Sequence, residues 1–188
     1  VNPGFSPNIL TRLRPGDLLI YSRDSFFGRA IKIKTWSNYS HVETFIGGPT
    51  GRQTHAARDS GKLWGKPKPG TGVGFFDIQF DGLVLVRRPK MPFDLERARD
   101  YMRRVDGERY DVFGIFRFFT IGQQSTDKQF CSEDATRLAR AAGVEPFVER
   151  LDADLVSPRD LAMTPAYMDV AVYSGVEHDI STEKDLKL

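Results

Sequence analysis

Cysteine occurs once in this chain of 188 residues, at position 131. A lone cysteine closes no internal disulfide, so the fold has no covalent staple and is held by a packed core. It also excludes thiolate zinc sites, which need at least two cysteines in nearly every form. The length is sufficient for such a core, since a domain of this size buries roughly 70% of the surface its unfolded chain exposes. Apolar residues make up 40% of the sequence, and fourteen Phe, six Tyr and two Trp supply bulk for a core or for a groove lined by rings.

Charge narrows the partners. Basic and acidic residues number 27 and 25, a formal charge of +2, which is no basic face for nucleic acid. The pairs Arg87-Arg88 and Arg103-Arg104 read as solvated surface. No apolar run approaches the ~20 residues of a spanning helix, so no integral membrane segment is expected. Residues 1–10 hold two prolines and no leader pattern. The expectation is a soluble protein, cytoplasmic by default, with a secreted or virion-associated location open.

Periodicity places the elements. Arg14-Pro15-Gly16-Asp17 is a turn before a short apolar strand, Leu18 to Tyr21. Phe27, Ala30, Ile31 and Ile33 mark a helical stripe over residues 26–34. Residues 40–46 alternate, with His41, Glu43 and Phe45 on one side and Val42, Thr44 and Ile46 on the other. After the turn at residues 47–51, residues 53–57 return as the second strand of a hairpin. Residues 59–72 read as a surface loop, 73–78 and 83–86 as strands, and 92–105 as a helix ended by Gly107. A buried helix fits 111–121. The next helix has a capping-box start at Thr126 to Gln129 and a stop at Gly143. Its apolar face carries Cys131, Ala135, Leu138, Ala139 and Ala142. Ser157 and Pro158 open another helix, and Val170 to Tyr173 form a strand before a polar tail.

Cys131 stands near a helix start, where unpaired N–H groups and the helix dipole favour a thiolate nucleophile. A thiol needs a proton acceptor. His178 lies in the tail, whereas His41 and His55 lie on the two strands of the proposed hairpin. One imidazole then serves as base and a second polar group fixes its tautomer. His55 is preferred for that second role. Glu43 is the alternative, but it lies ~6.8 Å further along the strand and would have to fold back.

The motifs Leu13-Arg14-Pro15-Gly16-Asp17-Leu18-Leu19, Tyr39-Ser40-His41-Val42 and Thr54-His55-Ala56 resemble the front half of permuted NlpC/P60-type papain-like enzymes. That group includes YiiX-like, poxvirus-like and lecithin–retinol acyltransferase-related proteins. Tyr110-Asp111, Phe130-Cys131-Ser132-Glu133 and Val156 to Leu161 resemble the back half, and the set runs from about Leu13 to Thr164. The resemblance implies an α+β fold of the circularly permuted papain-like (NlpC/P60) kind. A small antiparallel sheet or half-barrel packs against helices, with the nucleophile at a helix N-terminus. The domain would cover 13–168, after an arm at 1–12 and before a strand and tail at 169–188. It further implies Cys131 as nucleophile, His41 as base and His55 as third residue. Tyr110 would hold substrate or oxyanion, while Asp17 braces the first turn. Tyr39 and Trp36, just before His41, read as walls of the groove or as core.

The expected chemistry is acyl transfer through a thioester, needing no metal and no organic cofactor. An amidase or peptidase acting on bacterial cell-wall peptide, in a bacterium or a phage, is the leading expectation. One alternative is a lipid acyl hydrolase or acyltransferase, with Phe113, Phe116, Phe118 and Phe119 lining an acyl pocket. The other is a papain-like binding module without catalysis. The partner is thus a peptide or acyl small molecule.

Overall fold

The computed structural model describes residues 7–23, 26–58, 72–79, 82–110, 128–174 and 177–179. In chain order the elements are α1 (Pro7–Arg12), β1 (Leu18–Ser22), α2 (Phe26–Thr35), β2 (His41–Gly47), β3 (Gln53–Arg58), β4 (Gly72–Asp77) and β5 (Leu83–Pro89). There follow α3 (Leu95–Val105), β6 (Arg109–Tyr110), β7 (Lys128–Gln129), α4 (Cys131–Ala141), a 3-10 turn (Ala153–Leu155), α5 (Pro158–Met163), β8 (Tyr167–Ser174) and β9 (Glu177–Asp179).

Seven strands form one sheet in the order β4-β3-β2-β1-β5-β8-β9, and every neighbouring pair is antiparallel. The fold is therefore α+β. Strand β8 pairs with β5 over Leu83↔Ser174 to Pro89↔Tyr167, so the chain beyond residue 168 completes the sheet. The short β6 and β7 form a separate parallel pair.

The alternation read from β2 divides the core. One sheet face carries Leu19, Tyr21, Phe45, Val84 and Val86, packed with Ile9 and Leu13 at α1. The other carries Leu18, Ile20, Val42 and Leu85 beneath Cys131, Ala135 and Ala139 of α4. Further along that second face, Ile46, Ala57 and Val73 meet Leu138 and Ala142 of α4 and Ala98, Tyr101 and Met102 of α3. Helix α4 thus runs from the Val42 end of the sheet toward the Ile46 end. Asp94 begins α3 by accepting from the amides of Glu96 and Arg97 at 3.1 Å.

The Arg14–Asp17 turn forms as its residues dictate. Gly16 has φ +93°, and Asp17 is fully buried, accepting from the Arg14 amide at 2.9 Å and from both arms of the Arg88 guanidinium at 2.7 and 2.8 Å. Ser157 and Asp160 cap α5 reciprocally.

Four expectations are corrected. Helix α4 starts at Cys131, not at Thr126 to Gln129: Lys128 and Gln129 are spent on pairing with Arg109 and Tyr110, and Glu133 reaches back to the Phe130 amide at 3.4 Å. Arg87 is buried, because its guanidinium collects carbonyls of Leu161, Ala162, Thr164 and Tyr167 at the end of α5. Arg88 is held by Asp17. Ile33 faces solvent rather than the core. The loop at 59–71, the helix at 111–121 and the polar tail from 180 lie outside the described residues.

Candidate functional site

His41 opens β2 and pairs with Tyr21 of β1. Its Nε2 stands 3.0 Å from Glu43 Oε1. Side chains two apart on a strand share a face, and here the longer Glu43 side chain closes the gap that the backbone spacing opens. Glu43 has no exposed surface. It also accepts from Arg58 Nε and Nη2 at 2.9 Å each, Thr54 Oγ1 at 2.8 Å, Arg23 Nη2 at 3.2 Å and the Tyr21 hydroxyl at 3.4 Å.

Burial pushes the Glu43 carboxyl up, but the hydrogen bond from His41 and the bonds and charge of Arg58 reverse this and hold it well below the usual carboxylate range. An ionised carboxylate only accepts, so His41 Nε2 carries the hydrogen and Nδ1 keeps the lone pair. Burial lowers the His41 pKa; the Glu43 bond opposes this and the charges of Arg23 and Arg58 add to it. His41 is therefore a neutral imidazole, oriented by an acid and with its accepting nitrogen turned away from that acid.

His55 lies elsewhere. It pairs with Thr44 in β3, which puts its side chain on the face opposite Glu43 and Thr54. There Nδ1 meets Asp134 Oδ2 at 3.1 Å, and the Tyr101 hydroxyl donates to Asp134 Oδ1 at 3.1 Å. His55 therefore does not orient His41. The register sets this, since strand alternation sends residues paired with Thr44 and with Phe45 to opposite faces.

Cys131 is the first residue of α4, the position where backbone N–H groups lack intrahelical acceptors. It is 2% exposed and packs with Ile20, Val42, Val156, Leu161 and Tyr167. The sulfur and the His41 ring thus lie at one end of the sheet, on different faces. Tyr39 is half-buried against the Cys131 cluster, and burial raises its pKa. Trp36 walls nothing and joins no core, being 90% exposed. The Tyr110 backbone pairs with Gln129; its side chain is outside the described residues. Among the described residues no three His, Cys, Asp or Glu side chains stand close enough to hold a metal ion, and no helix is long and apolar enough to cross a membrane.

Sequence reasoning passed over Tyr21, Arg23, Thr54, Arg58 and Asp134. Tyr21 and Thr54 share a face with Glu43 by alternation, and Asp134 stands one helical turn from Cys131. Those were signals available in the spacing. The convergence of Arg23 and Arg58 on one carboxylate is not visible without the register.

No family model matches the sequence, and no curated protein matches it. A solved structure does resemble the fold: the metalloprotein YiiX from Escherichia coli O157:H7, DUF1105. The likeness has a TM-score of 0.59 at 19% identity, covering 84% of this chain and 96% of that one.

Proposed function

With that α+β architecture in place, we propose that the protein is a cysteine hydrolase of the permuted NlpC/P60 papain-like kind, cleaving an amide of a cell-wall or related peptide. The observation that supports this most is the His41–Glu43 pair at the sheet end where Cys131 opens α4. Glu43, rather than His55, orients the base.

In this reading His41 Nδ1 takes the Cys131 proton and the thiolate attacks the amide carbon. N–H groups at the start of α4 stabilise the oxyanion. The C–N bond breaks as His41 returns the proton to the leaving amine. Water, deprotonated by His41, then attacks the thioester, releasing the acid and restoring the thiol. Cys131 is buried and His41 faces the other side of the sheet, so this reading requires both side chains to move before attack. The YiiX neighbour is described as a metalloprotein, but the oxygens of Glu43 already serve two guanidiniums and a threonine. The described residues of this chain do not fit a resident cation, and no step passes through one.

The burial of Cys131 among aliphatic residues favours a second reading, a papain-like binding module without catalysis. Iodoacetamide labelling separates the two. A hydrolase reacts faster than a free thiol near neutral pH, the rate falls in His41→Ala, and Cys131→Ser abolishes cleavage of wall peptides. Labelling at or below the free-thiol rate, unaffected by His41→Ala, supports the binding module. The aromatic run behind the lipid-acyl alternative lies outside the described residues, and His55 is engaged with Asp134. An adduct formed from acyl esters alone would favour that alternative.

A further inference from the structure

Helix α2 ends against local preference. The Ser37 amide donates to Lys32 O at 3.1 Å and the Trp36 amide to Ile33 O at 3.4 Å. These are the paired bonds of a Schellman cap, whose left-handed position is usually glycine. Here it is Trp36, at φ +48°, a conformation that crowds any Cβ and is a true outlier for a bulky residue. The strain brings the indole no burial: Trp36 is 90% exposed and Ile33 75% exposed.

Arg29, Lys32, Ile33 and Trp36 follow one another at i, i+3, i+4 and i+7, a single helical face, while Gly28 and Thr35 are turned inward and buried. Residues 25–42 contain no Asp or Glu and three cations, Arg29, Lys32 and Lys34. Met163, 69% exposed, stands one turn beyond Arg159, whose guanidinium bonds Thr35 O at 3.0 Å.

We infer that this face of α2 docks on an anionic lipid surface. Trp36 and Ile33 enter the headgroup boundary while Arg29 and Lys32 meet lipid phosphates. Exposed Trp and aliphatic groups beside cations of one sign form the pattern of an interfacial helix. A polyanion such as nucleic acid would use the cations and leave Ile33 and Trp36 in water. A second copy of the chain would bring like charges together across a two-fold contact. Five positions separate Trp36 from His41, so docking holds the candidate site at the bilayer surface.

The test uses the full chain with Trp64→Phe, which leaves Trp36 as the only tryptophan. Vesicles of phosphatidylcholine, with and without phosphatidylglycerol, are compared by flotation and emission. Expected are binding to the anionic vesicles only, a blue shift of Trp36 emission, and quenching by brominated acyl chains. Arg29→Gln should bind about fivefold less tightly, the equivalent of ~1 kcal/mol for one cation at such a surface. Trp36→Gly should lose most of the binding while its melting temperature holds or rises, because glycine removes the left-handed strain. The inference fails if anionic vesicles are not bound, or if they are bound with Trp36 emission unmoved. It fails equally if Trp36→Gly binds as well as its parent, or if Trp36 proves to seal a dimer instead.

Discussion

Asp134 holds His55 Nδ1 at 3.1 Å from a helix that begins three residues earlier with Cys131. The contact ties α4 to β3, and the Tyr101 hydroxyl ties α3 to the same carboxylate. Around it the balance is incomplete, since among the described residues His55 Nε2 and Thr44 Oγ1, cross-strand neighbours, are buried without a hydrogen-bond partner. Such groups ordinarily find an ordered water.

Replacing Asp134 by Ala therefore leaves His55 Nδ1 and the Tyr101 hydroxyl without their acceptor inside the core. Breaking a buried, hydrogen-bonded pair from one side costs about 3 kcal/mol or more. Urea unfolding of Asp134→Ala should show a loss of that order, with the slope unchanged. A loss below ~1 kcal/mol would mean that the helix is held by apolar packing alone.

The His41–Glu43 pair predicts acid sensitivity. Glu43 is held well below its ordinary pKa in the folded chain. Its contribution is thus complete above the unfolded value and is lost as pH falls toward the depressed folded one. His41 is lowered from 6.5, so below that pH the unfolded chain takes up a proton that the folded chain refuses. Both effects make stability rise with pH from acid toward about 6.5. Asp17, raised by burial, opposes them just above its ordinary value. Urea midpoints between pH 3 and 8 should therefore climb and level off near neutrality. Arg58→Gln should move the acid transition to higher pH, because Glu43 loses one of the charges that hold it ionised.

Much of this framework was legible because it is local. Alternation in residues 40–46 and 53–57 fixed the hairpin, and Ser157-Pro158 announced a capped helix. What could not be read depends on chain segments far apart. Arg87 looks like surface until the end of α5, more than seventy residues on, presents its carbonyls. His55 looks like a partner for His41 until the Thr44↔His55 register turns it to the other face. Glu43 was set aside on backbone spacing alone, which omits the reach of a long side chain. Trp36 breaks a local rule outright, and such breaks tend to mark function.

Asp17 offers a sharper stability test than any surface ion pair. Exposed pairs such as Arg103–Asp100 contribute little, ~0–1 kcal/mol. Asp17 is buried and receives three hydrogen bonds from Arg14 and Arg88. Asp17→Ala should lose about 3–5 kcal/mol, and Asp100→Ala less than ~1. Equal losses in chemical denaturation would show that the Arg14–Asp17 turn is not a brace for β1.

Gly16 and Gly51 share a left-handed backbone, with φ +93° and +67°, but differ in surroundings. A Cβ on Gly16 would sit 2.6 Å from Phe93 Cγ and Cδ2 and 2.9 Å from Phe93 Cβ, whereas one on Gly51 meets nothing within 4 Å. Gly51→Ala should therefore cost only the left-handed penalty, roughly 1–2 kcal/mol. Gly16→Ala should add an overpacking cost of roughly 1–3 kcal/mol. Truncating the ring isolates its share: in Phe93→Ala the Gly16→Ala increment should shrink but stay above that of Gly51→Ala, because the Phe93 Cβ, 2.9 Å away, remains. A coupling energy near zero in that double-mutant cycle would place the Gly16 requirement in the backbone turn rather than in the Phe93 contact.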